Sequence, residues 1–106
     1  MFHKVVLGAA LAAALIAPLA ASAGEVANRI ASEQGRIDAG VRNGSLTYGE
    51  YSHVESHLDA ISAQRRADLA RNGGRLTPGD YRRLNREENH LSDRIWFDEH
   101  NAAHQP

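Results

Sequence analysis

One phrase occurs twice in this chain, and it constrains the fold more than any other feature. The copies are Arg42-Asn43-Gly44-Ser45-Leu46-Thr47-Tyr48-Gly49-Glu50-Tyr51 and Arg71-Asn72-Gly73-Gly74-Arg75-Leu76-Thr77-Pro78-Gly79-Asp80-Tyr81. Each reads as the end of one helix and the start of the next. Asn43-Gly44 and Asn72-Gly73 suit the left-handed residue that closes a helix, because glycine has no Cβ to clash there. Thr47 and Thr77 can cap the following helix, with Glu50 and Asp80 three residues on in capping-box register. Pro78 falls in the first helical turn, where a missing N–H costs nothing. Leu46 and Leu76 precede the caps and can fold back onto Tyr51 and Tyr81 as hydrophobic staples.

Between these corners the apolar residues follow helical spacing. Val26, Ile30, Ile37 and Val41 make one stripe, with Gln34 filling its gap; Tyr51, Val54, Leu58, Ile61 and Leu69 make a second; Tyr81, Leu84, Leu91 and Ile95 make a third. The pattern predicts an all-α fold with helices at about 25–43, 48–72 and 78–102. Short corners set neighbouring helices antiparallel, which gives an up-down-up three-helix bundle. The alternative is a long helical hairpin that dimerises. With corners near residues 45 and 74, residue i of the second helix lies level with about 149 − i of the third and 91 − i of the first, because rise per residue is equal.

Upstream of the first helix, Lys4 with His3 makes a short positive start, Val5 to Ala17 is an almost unbroken apolar run, and Ala21-Ser22-Ala23 offers small residues to a signal peptidase. Residues 1–23 therefore read as a secretory signal, too short to span a membrane. Residues 24–106, 83 in all, are then expected to form a single helical domain with no transmembrane segment, located in the periplasm or secreted after cleavage near Ala23. No cysteine is present, so neither a disulfide nor a thiolate metal site supports so small a core. Lys4 is the only lysine and lies in the leader, which leaves 11 arginines against 13 acidic residues. That balance argues against nucleic acid as a partner.

The Gly-x-Leu-Thr-x-x-acid phrase, Gly44 to Glu50 and Gly74 to Asp80, with the Arg94-Ile95-Trp96 to His100 tail, resembles a group of small exported bacterial proteins, mostly without assigned activity. More faintly, it resembles the Spy/CpxP-like periplasmic chaperones, whose helices carry Leu-Thr-x-x-Gln where this chain has Glu50 and Asp80. The phrase is also similar to the last seven positions of an EF-hand loop. Calcium needs several oxygens, and the other loop positions hold Ala39, Val41 and Asn43, or Leu69, Arg71 and Gly73. A calcium ion is not expected there.

His53 and His57 stand one helical turn apart, as do His100 and His104, and such pairs can share one metal. Antiparallel packing places the first pair beside Trp96, Glu99, His100 and Asp38, with Glu50 at the same end. His53, His57, His100, His104, Glu50 and Glu99 are thus candidate ligands for zinc, copper or nickel. On the helical wheel, however, His53 points away from the apolar stripe and His57 lies on its flank, so a solvated surface is the simpler reading and metal-free folding the default. The Glu50–His53 and Glu87–His90 pairs do not make a di-iron site, because the bundle separates them by several turns.

Charge is unevenly spread. Arg65, Arg66, Arg71, Arg75, Arg82, Arg83 and Arg86 gather around the second corner against only Asp68 and Asp80. Arginine forks bind phosphates and carboxylates, so this end is a candidate surface for anionic lipid, lipopolysaccharide or an acidic partner. The alternative is a solvated helix surface with arginine–acid pairs one turn apart. No nucleophile, phosphate loop or inward carboxylate pair marks an enzyme. The expected function is a periplasmic, non-enzymatic binding protein of envelope-stress or chaperone-like type. It would act on a protein or envelope component, with homodimerisation open, through apolar positions such as Tyr48, Trp96 and Phe97. The alternative is a divalent transition-metal buffer or sensor.

Overall fold

A computed structural model describes residues 23–102, which form three helices and no strand. Helix α1 covers 23–42, α2 runs Tyr48–Arg71 and α3 runs Pro78–His100. The fold is the expected all-α three-helix bundle. The helices stop one or two residues short of the spacing-based ends, because Asn43 lies in the turn and Asn72 and Asn101 cap rather than extend α2 and α3. The expected secretory signal, residues 1–23, lies outside the described residues except for Ala23, which is helical and whose carbonyl accepts from Arg65 Nη2 at 3.4 Å.

Both corners form as the repeated phrase requires. Thr47 Oγ1 accepts from Glu50 N at 3.2 Å while Glu50 Oε1 accepts from Thr47 N at 3.0 Å. Thr77 and Asp80 make the same reciprocal pair at 3.0 and 3.2 Å, so the shorter Asp side chain closes a full capping box. Gly44, Gly73 and Gly74 take left-handed φ values of 80°, 64° and 86°. At the second corner Gly74 N donates to Leu69 O at 2.8 Å, the six-to-one bond of a Schellman stop. Leu46 and Leu76 are both fully buried, so the residues before the caps anchor each corner in the core.

Side-chain bonds between helices fix the register. Glu25 with Tyr81, Arg29 with Asn85, and Arg36 with Ser92 all join α1 to α3 at a constant separation of 56 residues, so those helices are parallel. Asp68 with Arg83 and Glu50 with Asn101 join α2 to α3 in the opposite sense, stepping 18 residues along each helix in opposite directions. Gln34 donates to Glu55 at 2.9 Å between the antiparallel α1 and α2. Every one of these levels falls within a few residues of the equal-rise expectation.

The core contains Val26, Ile37, Leu46, Val54, Leu58, Ile61, Leu76, Leu84, Leu91 and Ile95, with Ile30, Tyr51, Leu69 and Tyr81 packed against it. Two stripe positions on α1 differ from the spacing. Val41 is 38% exposed, and its neighbour Gly40 is buried instead, because a Cβ at Gly40 would stand 2.7 Å from Leu46 Cγ and Cδ1. The gap in the same stripe is filled by Glu33, which is buried, while Gln34 is half-buried beside Glu55.

Candidate functional site

The two ends of the bundle present different chemistry. At the first-corner end the Glu50–Asn101 bond draws the C-terminus of α3 level with the start of α2. Tyr48 is 83% exposed there, and Trp96 and Phe97 are 58% and 55% exposed near the end of α3. Tyr48 lies 6.5 Å from Tyr51, the Trp96 ring stacks on His100 at 4.2 Å, and the Arg94 guanidinium sits 5.7 Å from the Phe97 centroid. Trp96 and Phe97 are thus held from one side and open on the other, while Tyr48 is almost wholly exposed. An aromatic side chain with one face packed and one face wet has the form of a contact residue for a partner.

The histidine and glutamate candidates fall into separate local arrangements. His53 is exposed and His57 half-buried, with rings 6.4 Å apart. His100 Nδ1 is 2.7 Å from its own Trp96 carbonyl, Glu99 pairs with Arg36 at 3.8 Å, and Glu50 is engaged by Thr47 and by Asn101 Nδ2 at 2.6 Å. Burial raises the Glu50 carboxyl, but bonds from Thr47 and Asn101 and the nearby Arg94 charge outweigh it and hold its pKa below the usual range. His104 lies outside the described residues. Among the described residues, no three or more His, Asp or Glu side chains gather as a metal-holding group.

At the second-corner end two of the seven arginines are tied to buried acids. Asp68 is fully buried, and it accepts from Arg71 and Arg83 at 2.7 Å each and from Gln64 at 2.9 Å. Asp80 takes Asn72 Nδ2 at 3.0 Å and pairs with the same two guanidinium groups at 3.4 and 3.6 Å. Desolvation pushes the Asp68 carboxyl up, and the Gln64, Arg83 and Arg71 bonds more than reverse it, so its pKa is lowered. Arg65 reaches the Ala23 carbonyl and Arg66 bonds Ser62 Oγ at 2.9 Å. Arg75, Arg82 and Arg86 are exposed. The cluster is therefore partly a structural clasp and only in part a free cationic surface.

The apolar pattern did not point to the buried acids. Glu33, Asp68, Asp80, Glu88 and Asp98 are all buried, and only Asp80 has a role visible in the repeated phrase. A sequence signal for two of them exists: the three-and-four spacing skips a position between Ile30 and Ile37 and another between Leu84 and Leu91, and Glu33 and Glu88 occupy those skipped core positions. Asp98 is held by Arg94 Nε at 3.0 and 3.2 Å from its two oxygens.

No protein-family model matches the chain, and no curated protein or solved structure matches it either. No helix among the described residues is long and apolar enough to cross a membrane. The fold and its surfaces thus define a class rather than a named relative: a small all-α three-helix bundle with an aromatic end and an arginine-clasped end.

Proposed function

We propose that this chain is an exported, non-enzymatic binding protein of the bacterial envelope, of chaperone-like type, which takes hold of partner proteins through Tyr48, Trp96 and Phe97. The observation that carries this reading is that these three large side chains stay outside a core that buries the staple leucines completely. The leader-like residues 1–23 support export. A contact surface of this kind suits apolar segments of an incompletely folded protein, since aromatic rings give large contact area at low entropic cost. The test is suppression of aggregation of reduced α-lactalbumin. Protection is expected, and it is expected to disappear in the Trp96→Ser/Phe97→Ser variant while helicity is retained. Aggregation that proceeds equally with and without the protein would defeat the reading.

A second reading rests on the adjacent rings of His53 and His57, which share a face of α2. In it the chain buffers zinc, copper or nickel. Calorimetry with each ion decides it: binding tighter than about 10 μM that is lost in His53→Ala supports the buffer, and weaker binding removes it.

A further inference from the structure

Midway along the bundle the apolar stripes of α1 and α3 are interrupted at the same level. Glu33 on α1 is 3% exposed and Glu88 on α3 is fully buried, and Arg29 lies between them, with Nη2 3.7 Å from Glu33 Oε1 and Nε 3.4 Å from Glu88 Oε2. Neither oxygen of Glu88 accepts a hydrogen bond among the described residues, nor does Glu33 Oε2. Arg29 also donates to Asn85 Oδ1, which divides its guanidinium among three partners. From α2 comes Arg65, whose Nε is buried without a hydrogen bond and whose Nη2 is spent on the Ala23 carbonyl.

Two buried carboxylates at one level, with cations that are each partly occupied elsewhere, cannot both be ionised without a large desolvation cost. Elsewhere among the described residues buried acids are handled differently, since Asp68 takes three donors and Asp98 accepts from Arg94 Nε at Oδ2, with Oδ1 in ion-pair contact with the same nitrogen but without a hydrogen bond. Among the described residues, Glu88 is the fully buried carboxyl of which neither oxygen accepts a hydrogen bond.

We propose that the Glu33–Arg29–Glu88 layer is a proton-linked latch: a proton taken up on the carboxyl pair docks α1 against α3, and its loss loosens that contact.

The charged and titratable groups facing Glu88 are Glu25, Arg29 and Glu33 from α1, Arg65 from α2, and Tyr81 of α3, whose hydroxyl donates to Glu25 at 2.8 Å; Arg36 of α1 acts on Glu33. Desolvation, then the Glu33 charge, raises the Glu88 carboxyl from 4.5 to about 7 against the pull of Arg29 and Arg65. Desolvation likewise raises Glu33, opposed by Arg29 and Arg36. The sign follows from linkage. A folded pKa above the unfolded one means that the folded chain holds the proton more tightly. The layer's contribution is complete below pH 4.5 and is lost as the pH rises through about 7. For a protein outside the cytoplasm, whose surroundings are not pH-buffered by the cell, this makes bundle tightness respond to mild acidity.

The test combines thermal unfolding of the purified full chain with an NMR titration of the Glu88 side-chain carboxyl carbon. Wild-type Tm is expected to fall by about 5 °C or more between pH 5 and pH 8, a size set by a carboxyl that must give up its proton in place. In Glu88→Gln that slope is expected to shrink to less than half, which separates it from histidine titration in the same window. The NMR midpoint of Glu88 should lie between about 6 and 8, and in Glu33→Gln it should drop, because the neighbouring negative charge is gone. A Glu88 midpoint below about 5 in the wild type overturns the proposal. So does a Glu88→Gln variant that keeps the full slope. Should Glu88→Gln fail to fold, the wild-type titration still decides.

Discussion

The two corners are built from one phrase yet end in opposite surfaces, and the difference shows what a repeat does and does not specify. At both, a threonine and an acid three residues later close a capping box, a left-handed glycine ends the preceding helix, and a buried leucine pins the turn. What surrounds the phrase differs. Around the second corner, Asp68 and Asp80 face Arg71, Arg83 and Asn72 across α2 and α3, and the polar groups satisfy one another. Around the first, Leu46 lies directly on the Gly40 backbone, an Asn101–Glu50 bond joins α3 to α2, and three large rings face outward. The phrase makes the turn, and its neighbours decide whether the end is fastened inward or offered outward.

Substitutions that break one end and spare the other sharpen the contrast. The largest effect is expected from Asp68→Ala, which removes the buried hub of the second corner and leaves Arg71 and Arg83 without their main partner. A loss of about 3 kcal/mol is expected, tempered by the partial exposure of both arginines, and chemical denaturation measures it. Gly40→Ala should cost about 2 kcal/mol at the first corner, because the new methyl meets Leu46, which is itself fully enclosed. Thr47→Ala and Thr77→Ala should each cost about 1 kcal/mol, and equality of the two would show that the capping chemistry of the corners is the same. Arg82→Gln and Arg86→Gln, at exposed positions, should change stability by less than about 0.5 kcal/mol.

Acid separates the corners from the layer between them. Glu50 and Asp68 have lowered folded pKa values, so each contributes stability above its unfolded value of 4.5 or 3.8 and loses it as the pH falls through the folded pKa. Glu88 has the opposite sign. Thermal stability should therefore peak in mild acid, near pH 5, and decline on both sides. In Asp68→Asn the acid-side decline should weaken while the alkaline side is unchanged.

The corners, the helix order and the register were legible in the sequence because each rests on local chemistry: a left-handed glycine, a hydroxyl before an acid, a fixed rise per residue. Even the level of one helix against another came within a few residues, since two short turns leave little freedom. The buried acids were not legible from an apolar pattern, because a charged residue at a core position looks like a gap. Ile30 to Ile37 and Leu84 to Leu91 show such gaps, and Glu33 and Glu88 fill them. Val41 marks a different difficulty. Its spacing fits the stripe, but the close approach of Leu46 demands a residue without a side chain on the inner face, and Gly40 takes that place. The seven arginines show a third: composition counts their charge, while the structure pairs Arg71 with Asp68 one turn back on its own helix and brings Arg83 to the same Asp68 through the α2–α3 register.

Mapping amide hydrogen exchange on the purified chain with and without reduced α-lactalbumin tests the contrast between the ends most directly. The expected result is added protection at residues 48–53 and 94–101, around Tyr48, Trp96 and Phe97, with none at 71–82. Protection centred on the arginine-clasped corner, or none at either end, would contradict it.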